Sequence, residues 1–178
     1  MMIYALFKKS LSSLTLVLLM FGPLQAFAAA PKGAFESGMY RNLFTEHGIA
    51  SPAAVSDKVK QTYQQLFYSD ELEESGEGLF FPVGDDMGFI KDIGNKDIRS
   101  EGMSYGMMIA VQMDDRPMFD KLWRFTERYM QHKSGWFEGD FAWHLSPREP
   151  FKKIDDNPAP DGELYFAMAL YFAHNKWG

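Results

Sequence analysis

The chain has 178 residues, 18 Lys and Arg against 24 Asp and Glu, a formal net charge of -6 and no cysteine. An acidic balance without a Lys/Arg run of the kind that tracks phosphates argues against nucleic acid or an anionic membrane as the main partner. Lack of thiols excludes disulfides, a cysteine nucleophile and thiolate metal ligands; the four histidines, His47, His132, His144 and His174, lack ligand spacing, so no metal and no cofactor is expected.

The first element is a secretory signal peptide over residues 1–28. Lys8 and Lys9 form its basic start, Leu11 to Phe21 its apolar middle, and Ala26-Phe27-Ala28 a small-residue cleavage site, with the cut after Ala28 or Ala30. Gly22 and Pro23 break the apolar run before it reaches the ~20 residues of a membrane span. The mature chain, residues 29–178, is therefore expected to be periplasmic or secreted and free of the membrane. Losing two lysines and no acid makes it more acidic still. It is long enough for one domain with a sizeable core. Four Trp, eight Tyr and sixteen Phe give it rings to spare, which suits a carbohydrate site where flat rings stack on sugars.

Residues 35–48 show no clean period and have room for one turn of helix. Ser51-Pro52 supplies an N-cap and a first-turn proline for a helix. In it Val55, Val59, Thr62, Tyr63, Leu66 and Phe67 line one face, with Lys58, Lys60, Gln61, Gln64 and Gln65 outside. Residues 69–98 are rich in Gly and Asp, contain only short apolar pieces such as Leu79-Phe80-Phe81, and read as a long connection with room for a small hairpin. Residues 102–113 are apolar on every side, the pattern of an interior helix. Pro117 starts an amphipathic helix with Met118, Phe119, Leu122, Trp123, Phe125, Tyr129 and Met130 on one side. Asp120, Lys121, Arg124, Glu127 and Arg128 lie on the other. A loop follows over 133–160, and 164–173 is again apolar all round.

Amphipathic and interior helices thus alternate. An ordinary four-helix bundle would make all four amphipathic; a double ring needs inner helices buried on both sides. The expectation is an all-α (α/α) toroid, of which this chain supplies about two hairpins.

Glu101 stands at the mouth of the first apolar helix, where its surroundings destabilise the ionised carboxylate and fit it for proton donation. Glu101 and Tyr105, and likewise Asp161 and Tyr165, are four apart and share helix faces. Both acids precede interior helices, which places them at one end of the fold, facing each other across a cleft. Plainer readings stand beside these. Glu101 can be a dipole-favoured residue at a helix start, Asp161 a turn or N-cap residue, Trp143 and Trp136 core, and Glu163 and Glu138 solvated charges.

Ser100-Glu101-Gly102-Met103-Ser104-Tyr105-Gly106-Met107, Phe119-Asp120-Lys121-Leu122-Trp123, Phe141-Ala142-Trp143, Ala159-Pro160-Asp161-Gly162-Glu163 and Lys176-Trp177-Gly178 together resemble glycoside hydrolase family 8. The likeness runs from about Gly33 to the last residue, and within the family it is greatest to the reducing-end xylose-releasing exo-oligoxylanases. The resemblance implies an (α/α)6 barrel and an inverting hydrolase of β-1,4-linked xylo-oligosaccharides, monomeric when complete and without cofactor. By motif position Glu101 matches the general acid, Asp161 an acid that positions the distorted sugar and the water, Trp143 an aromatic that stacks on a sugar, and Tyr105 a residue lining the cleft. The family's catalytic base is an aspartate well downstream of the Asp-Gly-Glu segment, with no matching position here. The resemblance therefore implies the N-terminal part of a catalytic domain. The rival readings are a noncatalytic sugar-binding fragment, an inactive remnant, and, among enzymes, a β-1,4-glucanase or chitosanase.

Overall fold

A computed structural model describes residues 39–69 and 78–178; the expected signal peptide over 1–28 lies outside the described residues. The chain divides into two units between His47 and Gly48. In the first, the described part holds one short helix, α1 (Leu43–Glu46), whose N-cap Asn42 accepts a hydrogen bond from the Thr45 amide at 3.2 Å. This is the single turn for which residues 35–48 left room.

The second unit opens on α2 (Pro52–Tyr68), started as expected by Ser51, whose hydroxyl accepts from the Ala54 amide, with Pro52 in the first turn. Only the end of its expected apolar face is buried: Tyr63 and Phe67 are, with ring centroids 4.6 Å apart, whereas Val59 is 50 % exposed. The reason is where the helix is held. The Tyr63 hydroxyl donates to Asp115 at 2.9 Å and the Tyr68 hydroxyl donates to the same carboxylate oxygen, both from the last turns of α2. Burial, and then Asp115, push both phenols well above their usual pKa.

The connection after α2 contains the expected hairpin, β1 (Phe80–Val83) paired antiparallel with β2 (Met87–Ile90) in the register Phe81 opposite Phe89. Strand β3 (Ile98–Arg99) leads directly into α3 (Ser100–Gln112), and α4 (Arg116–Phe125) follows, capped by Asp115 through the Met118 amide at 3.0 Å. The helix thus starts one residue before Pro117. It continues as a π-helical segment, Thr126–Met130, in which the Gln131 amide reaches back five residues to the Thr126 carbonyl at 3.1 Å. The stretch expected as loop holds two short strands, β4 (His144–Leu145) and β5 (Lys153–Asp155), in a sheet of order β3-β4-β5. Helix α5 (Pro160–Trp177) ends the chain.

The fold is helical, as expected, and the all-α reading is corrected only by the small antiparallel sheet that β3 forms with β4 and β5 where a loop was expected. The strands of this sheet and of the hairpin have four residues at most, too short for alternation to show in sequence. Between them and the helices sits a core of Ile98, Met103, Met107, Leu122, Phe125, Met130, Leu145 and Phe166, each at most 1 % exposed. Phe89, Phe125, Tyr129 and Phe151 add an aromatic cluster with centroids 4.8–5.8 Å apart, within the range that favours ring pairs. Gly106 permits this packing. A Cβ there would stand 2.6 Å from Ile90 Cγ1 and 3.2 Å from a Leu122 methyl, so α3 can lie against β2 and α4 only with glycine at that position.

Among the described residues, the two helices apolar on every side are buried on part of their surface only. Helix α3 buries Met103, Met107, Ala110 and Val111 but leaves Tyr105 and Ile109 exposed, and α5 exposes Leu164, Met168, Tyr171 and Phe172. The two helices pack on each other, α3 packs on α4 and β2, and α5 reaches α4 through Trp177 against Phe119 and the 141 segment through Phe166 against Phe141. No helix in the described part is long and apolar enough to cross a membrane.

Candidate active site

The site forms where the first turns of α3 and α5 meet. Ser100 is 1 % exposed and makes three connections there. Its amide donates to the Trp143 carbonyl at 2.9 Å, and its hydroxyl donates to Glu101 Oε2 at 3.2 Å. Its Cβ lies where a Cβ on Gly162 would be only 2.7 Å away. One small residue thus brings together the carboxylate of Glu101, the strand entry carrying Trp143 and the helix start carrying Asp161.

The two helices run in the same direction. Ser100 meets Gly162 at their starts, Tyr105 and Tyr165 meet edge to face at 4.8 Å one turn later, and the Trp177 indole donates to Asp114, just beyond α3, at 2.9 Å. The helix starts that carry Glu101 and Asp161 therefore lie side by side. The faces shared by Glu101 and Tyr105 and by Asp161 and Tyr165 adjoin. Glu101 is half-buried; Asp161 is exposed and accepts from the Gly162 amide at 2.9 Å. The helix α5 N-cap is Ala159, so Asp161 is not the cap. Two helix N-termini directed at one place create a positive field suited to carboxylates.

Trp143 is half-buried and neither free nor plain core. Its amide donates to the Asn157 carbonyl at 3.0 Å, the Arg99 guanidinium lies 5.4 Å over its ring, and the His144 ring lies 4.8 Å away. Its indole N–H bonds the Asp155 carboxylate; that bond, with those from Asn157, holds Asp155 below the usual carboxylate range. Trp136, the other tryptophan considered as core, is 96 % exposed.

Sequence reading gave no sign of the polar cluster behind Trp143. Asp97 is 7 % exposed. It takes two bonds from Arg99, at 3.0 and 3.1 Å, and its Oδ2 stands 2.9 Å from His144 Nε2. Arg99 and His144 are direct cross-strand partners in β3 and β4. Asp92 adds a weaker approach to Arg99 at 3.5 Å, and the pairing with Asp97 raises the guanidinium pKa further. A signal existed in hindsight: Asp97 and Arg99 are two apart, just before and within the strand that runs straight into the Glu101 helix. Glu163, read as a solvated charge, is half-buried instead and accepts from the Phe141 amide at 2.7 Å. Burial pushes its carboxyl up, assisted by Asp140 and opposed by the Phe141 bond. Among the described residues, no group of three or more His, Asp or Glu is arranged to hold a metal ion.

Residues 85–178 match the family described as glycosyl hydrolases family 8. Over 147 residues the chain is 48 % identical to the reducing-end xylose-releasing exo-oligoxylanase Rex8A of Paenibacillus barcinonensis, an alignment covering 83 % of this chain and 37 % of that protein. The reducing end xylose-releasing exo-oligoxylanase of Halalkalibacterium halodurans is also 48 % identical, over 83 % of this chain and 36 % of its own. An endoglucanase of Cellulomonas uda is 40 % identical over 78 residues, 44 % of this chain and 21 % of that one. A solved structure of Rex8A complexed with xylose superposes with a TM-score of 0.75 at 48 % identity, covering 83 % of this chain and 37 % of that one. The chain thus spans little more than a third of the length of these two exo-oligoxylanases.

Proposed function

The chain belongs to glycosyl hydrolase family 8, and on that premise we propose that it acts on β-1,4-linked xylo-oligosaccharides as part of an inverting hydrolase that releases xylose from the reducing end. The observation that carries the reading is the Ser100 junction, which sets Glu101, Trp143 and the Asp161 helix start against one another. The names and the bound xylose of the relatives favour xylose over glucose as the substrate unit.

In the proposed mechanism Glu101 gives its proton to the leaving oxygen as the bond from the anomeric carbon breaks. A base draws a proton from water on the opposite face as the new bond forms, and the configuration inverts. Acid and base in such a site stand ~6.5–9.5 Å apart to admit the water. Asp161 orients the sugar and that water, while Trp143 and Tyr105 offer rings to the sugar faces. The resemblance places the base at an aspartate well downstream of Asp161-Gly162-Glu163, and no described residue matches that position, so the base is assigned outside these residues. The proposed setting is an (α/α)6 barrel, monomeric when complete; the uncovered apolar faces of α3 and α5 are consistent with further helices beside them. Export follows from residues 1–28, and N-terminal sequencing of exported material beginning at Ala29 or Pro31 is its check.

The deciding experiment compares the 178-residue chain with a chimera in which it replaces the matching stretch of Rex8A. Each is incubated with xylotriose and followed by NMR of the reducing end. The chimera is expected to form α-configured xylobiose and free xylose, and the short chain to bind without cleaving. Cleavage by the short chain would force a base to be found among Asp155, Asp156, Glu163 or Glu138. Binding without turnover in both would favour the noncatalytic reading, and turnover of cello-oligosaccharides in preference to xylotriose would favour a glucanase.

A further inference from the structure

We propose that the pocket between the β1–β2 hairpin and the Ser146–Arg148 turn is a binding site for a sugar bearing a carboxylate, separate from the Glu101 site. It encloses about 500 Å³, within the ~300–1,000 Å³ usual for small-molecule sites. None of Glu101, Tyr105, Trp143 or Asp161 lines it.

Its walls run against the charge of the chain. In a protein of net charge -6, three cations, Lys91, Lys96 and Arg148, converge on this one pocket, and no carboxylate lines it. None of the three forms an ion pair among the described residues. They are far apart in sequence, so no basic run announced them. Like charges held around a concave surface repel one another, and an anion seated between them relieves that repulsion. Arg148 offers the planar fork that takes a carboxylate through two parallel bonds.

The floor selects what carries the anion. Phe81 and Phe89 stack at 5.5 Å and 11°, and Phe81 is only half-buried while Phe89 is closed off in the core. Lys91 lies 4.8 Å over the Phe81 ring and Phe89 stacks against it, so the ammonium takes a share of the ring surface and charge and ring carbon adjoin in the pocket lining. A bare inorganic anion has no use for that ring; a pyranose has, because its axial C–H groups form an apolar face.

The cations stand on backbone already fixed. Lys96 has a left-handed φ of 57°, and its amide donates to the Asp92 carbonyl at 2.7 Å. The Asp92 side chain receives the Gly94 and Asn95 amides at 2.8 and 3.0 Å. Across the pocket, the Ser146 amide donates to the Lys152 carbonyl at 2.9 Å and the Arg148 amide donates to the Ser146 hydroxyl at 3.3 Å. Little further ordering is needed for a ligand to meet both rims.

The test is titration of the 15N-labelled full chain with sodium glucuronate, glucose and inorganic phosphate in parallel. Glucuronate is expected to shift the amides of Lys91, Lys96, Ser146 and Arg148, and to bind several-fold more weakly when salt is raised to about 0.5 M, where the screening length is only a few ångströms. Lys91→Gln with Arg148→Gln should weaken binding about tenfold or more, the loss of at least one charge-assisted contact. Lys96→Gln, at an exposed side chain, should weaken it too and serves if the double variant unfolds. Glucose should leave these amides unmoved. Absence of glucuronate binding, or an equal response to glucose, overturns the proposal. So does a phosphate affinity matching that of glucuronate, which would mean a plain anion site. Binding abolished by Trp143→Ala but indifferent to the lysine and arginine changes also overturns it, by placing glucuronate at the Glu101 site.

Discussion

Gly162 lies against Ser100 so closely that no other residue fits: a Cβ at 162 would stand 2.7 Å from Ser100 Cβ and closer still to its hydroxyl oxygen. The glycine sets the distance between the starts of α3 and α5, and with it the relation of Glu101 to Asp161. Gly162→Ala is expected to cost about 1–3 kcal/mol through overpacking, read as a fall in Tm. Pairing it with Ser100→Gly should restore part of that loss, because the two changes act on one contact. Additive losses in the double variant would show that the contact does not govern the spacing.

A second prediction concerns the cluster behind Trp143. Asp97 holds Arg99 and His144 at once, and Arg99 in turn lies over the Trp143 ring. Asp97→Ala leaves two basic groups without their shared partner in a largely buried place. The expected cost is about 1.5–3 kcal/mol for the charged hydrogen bonds, with a red shift of tryptophan emission as Trp143 loosens. An unchanged emission maximum alongside lowered stability would mean that the cluster supports the sheet and not the ring.

How far the sequence reached is visible in the same residues. Long periodic segments were legible: α2, α3, α4 and α5 lie where spacing places them, because a helical face repeats often enough to be seen. The shared faces of Glu101 with Tyr105 and Asp161 with Tyr165 were legible for the same reason, and the ring contact between the tyrosines joins them. Strands β3, β4 and β5 have two or three residues each and carry no period. With them went Asp97, His144 and the support of Trp143, all of which depend on a pairing between residues 98 and 145. Burial on every side of α3 and α5 is not complete among the described residues. An apolar residue such as Tyr171 can be 70 % exposed, since composition states what a face prefers and not what covers it.

Glu163 gives a pH signature with a definite sign. Burial raises its carboxyl pKa in the folded chain, so the folded state binds the proton more tightly than the unfolded one. The stability this contributes is fully present below the unfolded carboxyl value of about 4.3 and is lost as pH rises through the higher folded value. Glu163→Gln retains an acceptor for the Phe141 amide without the charge. Its Tm relative to the parent is expected to rise between pH 4 and neutrality and to match the parent in more acidic solution. A difference independent of pH would remove Glu163 as its source.

The last prediction tests the acid itself. If Glu101 donates the proton, Glu101→Gln in the chimera with Rex8A should lower kcat by about 10²- to 10⁴-fold, the usual worth of a positioned general acid. Substrate binding should hardly change, because the amide keeps the shape of the carboxylate and can still accept from the Ser100 hydroxyl, which lies 3.2 Å from Glu101 Oε2. The division between kcat and binding is what identifies the role. Trp143→Ala provides the contrast, since loss of a stacking ring weakens xylotriose binding as well as turnover. A substrate with a leaving group that needs no protonation, such as an aryl xyloside with an acidic phenol, should recover much of the rate in Glu101→Gln and none in Trp143→Ala. Retention of more than about a tenth of parental turnover on xylotriose would fall below the smallest effect expected of a general acid and would take Glu101 out of that role. Asp161 or Glu163 would then be next in line, each carried on the first turn of α5 beside the same junction.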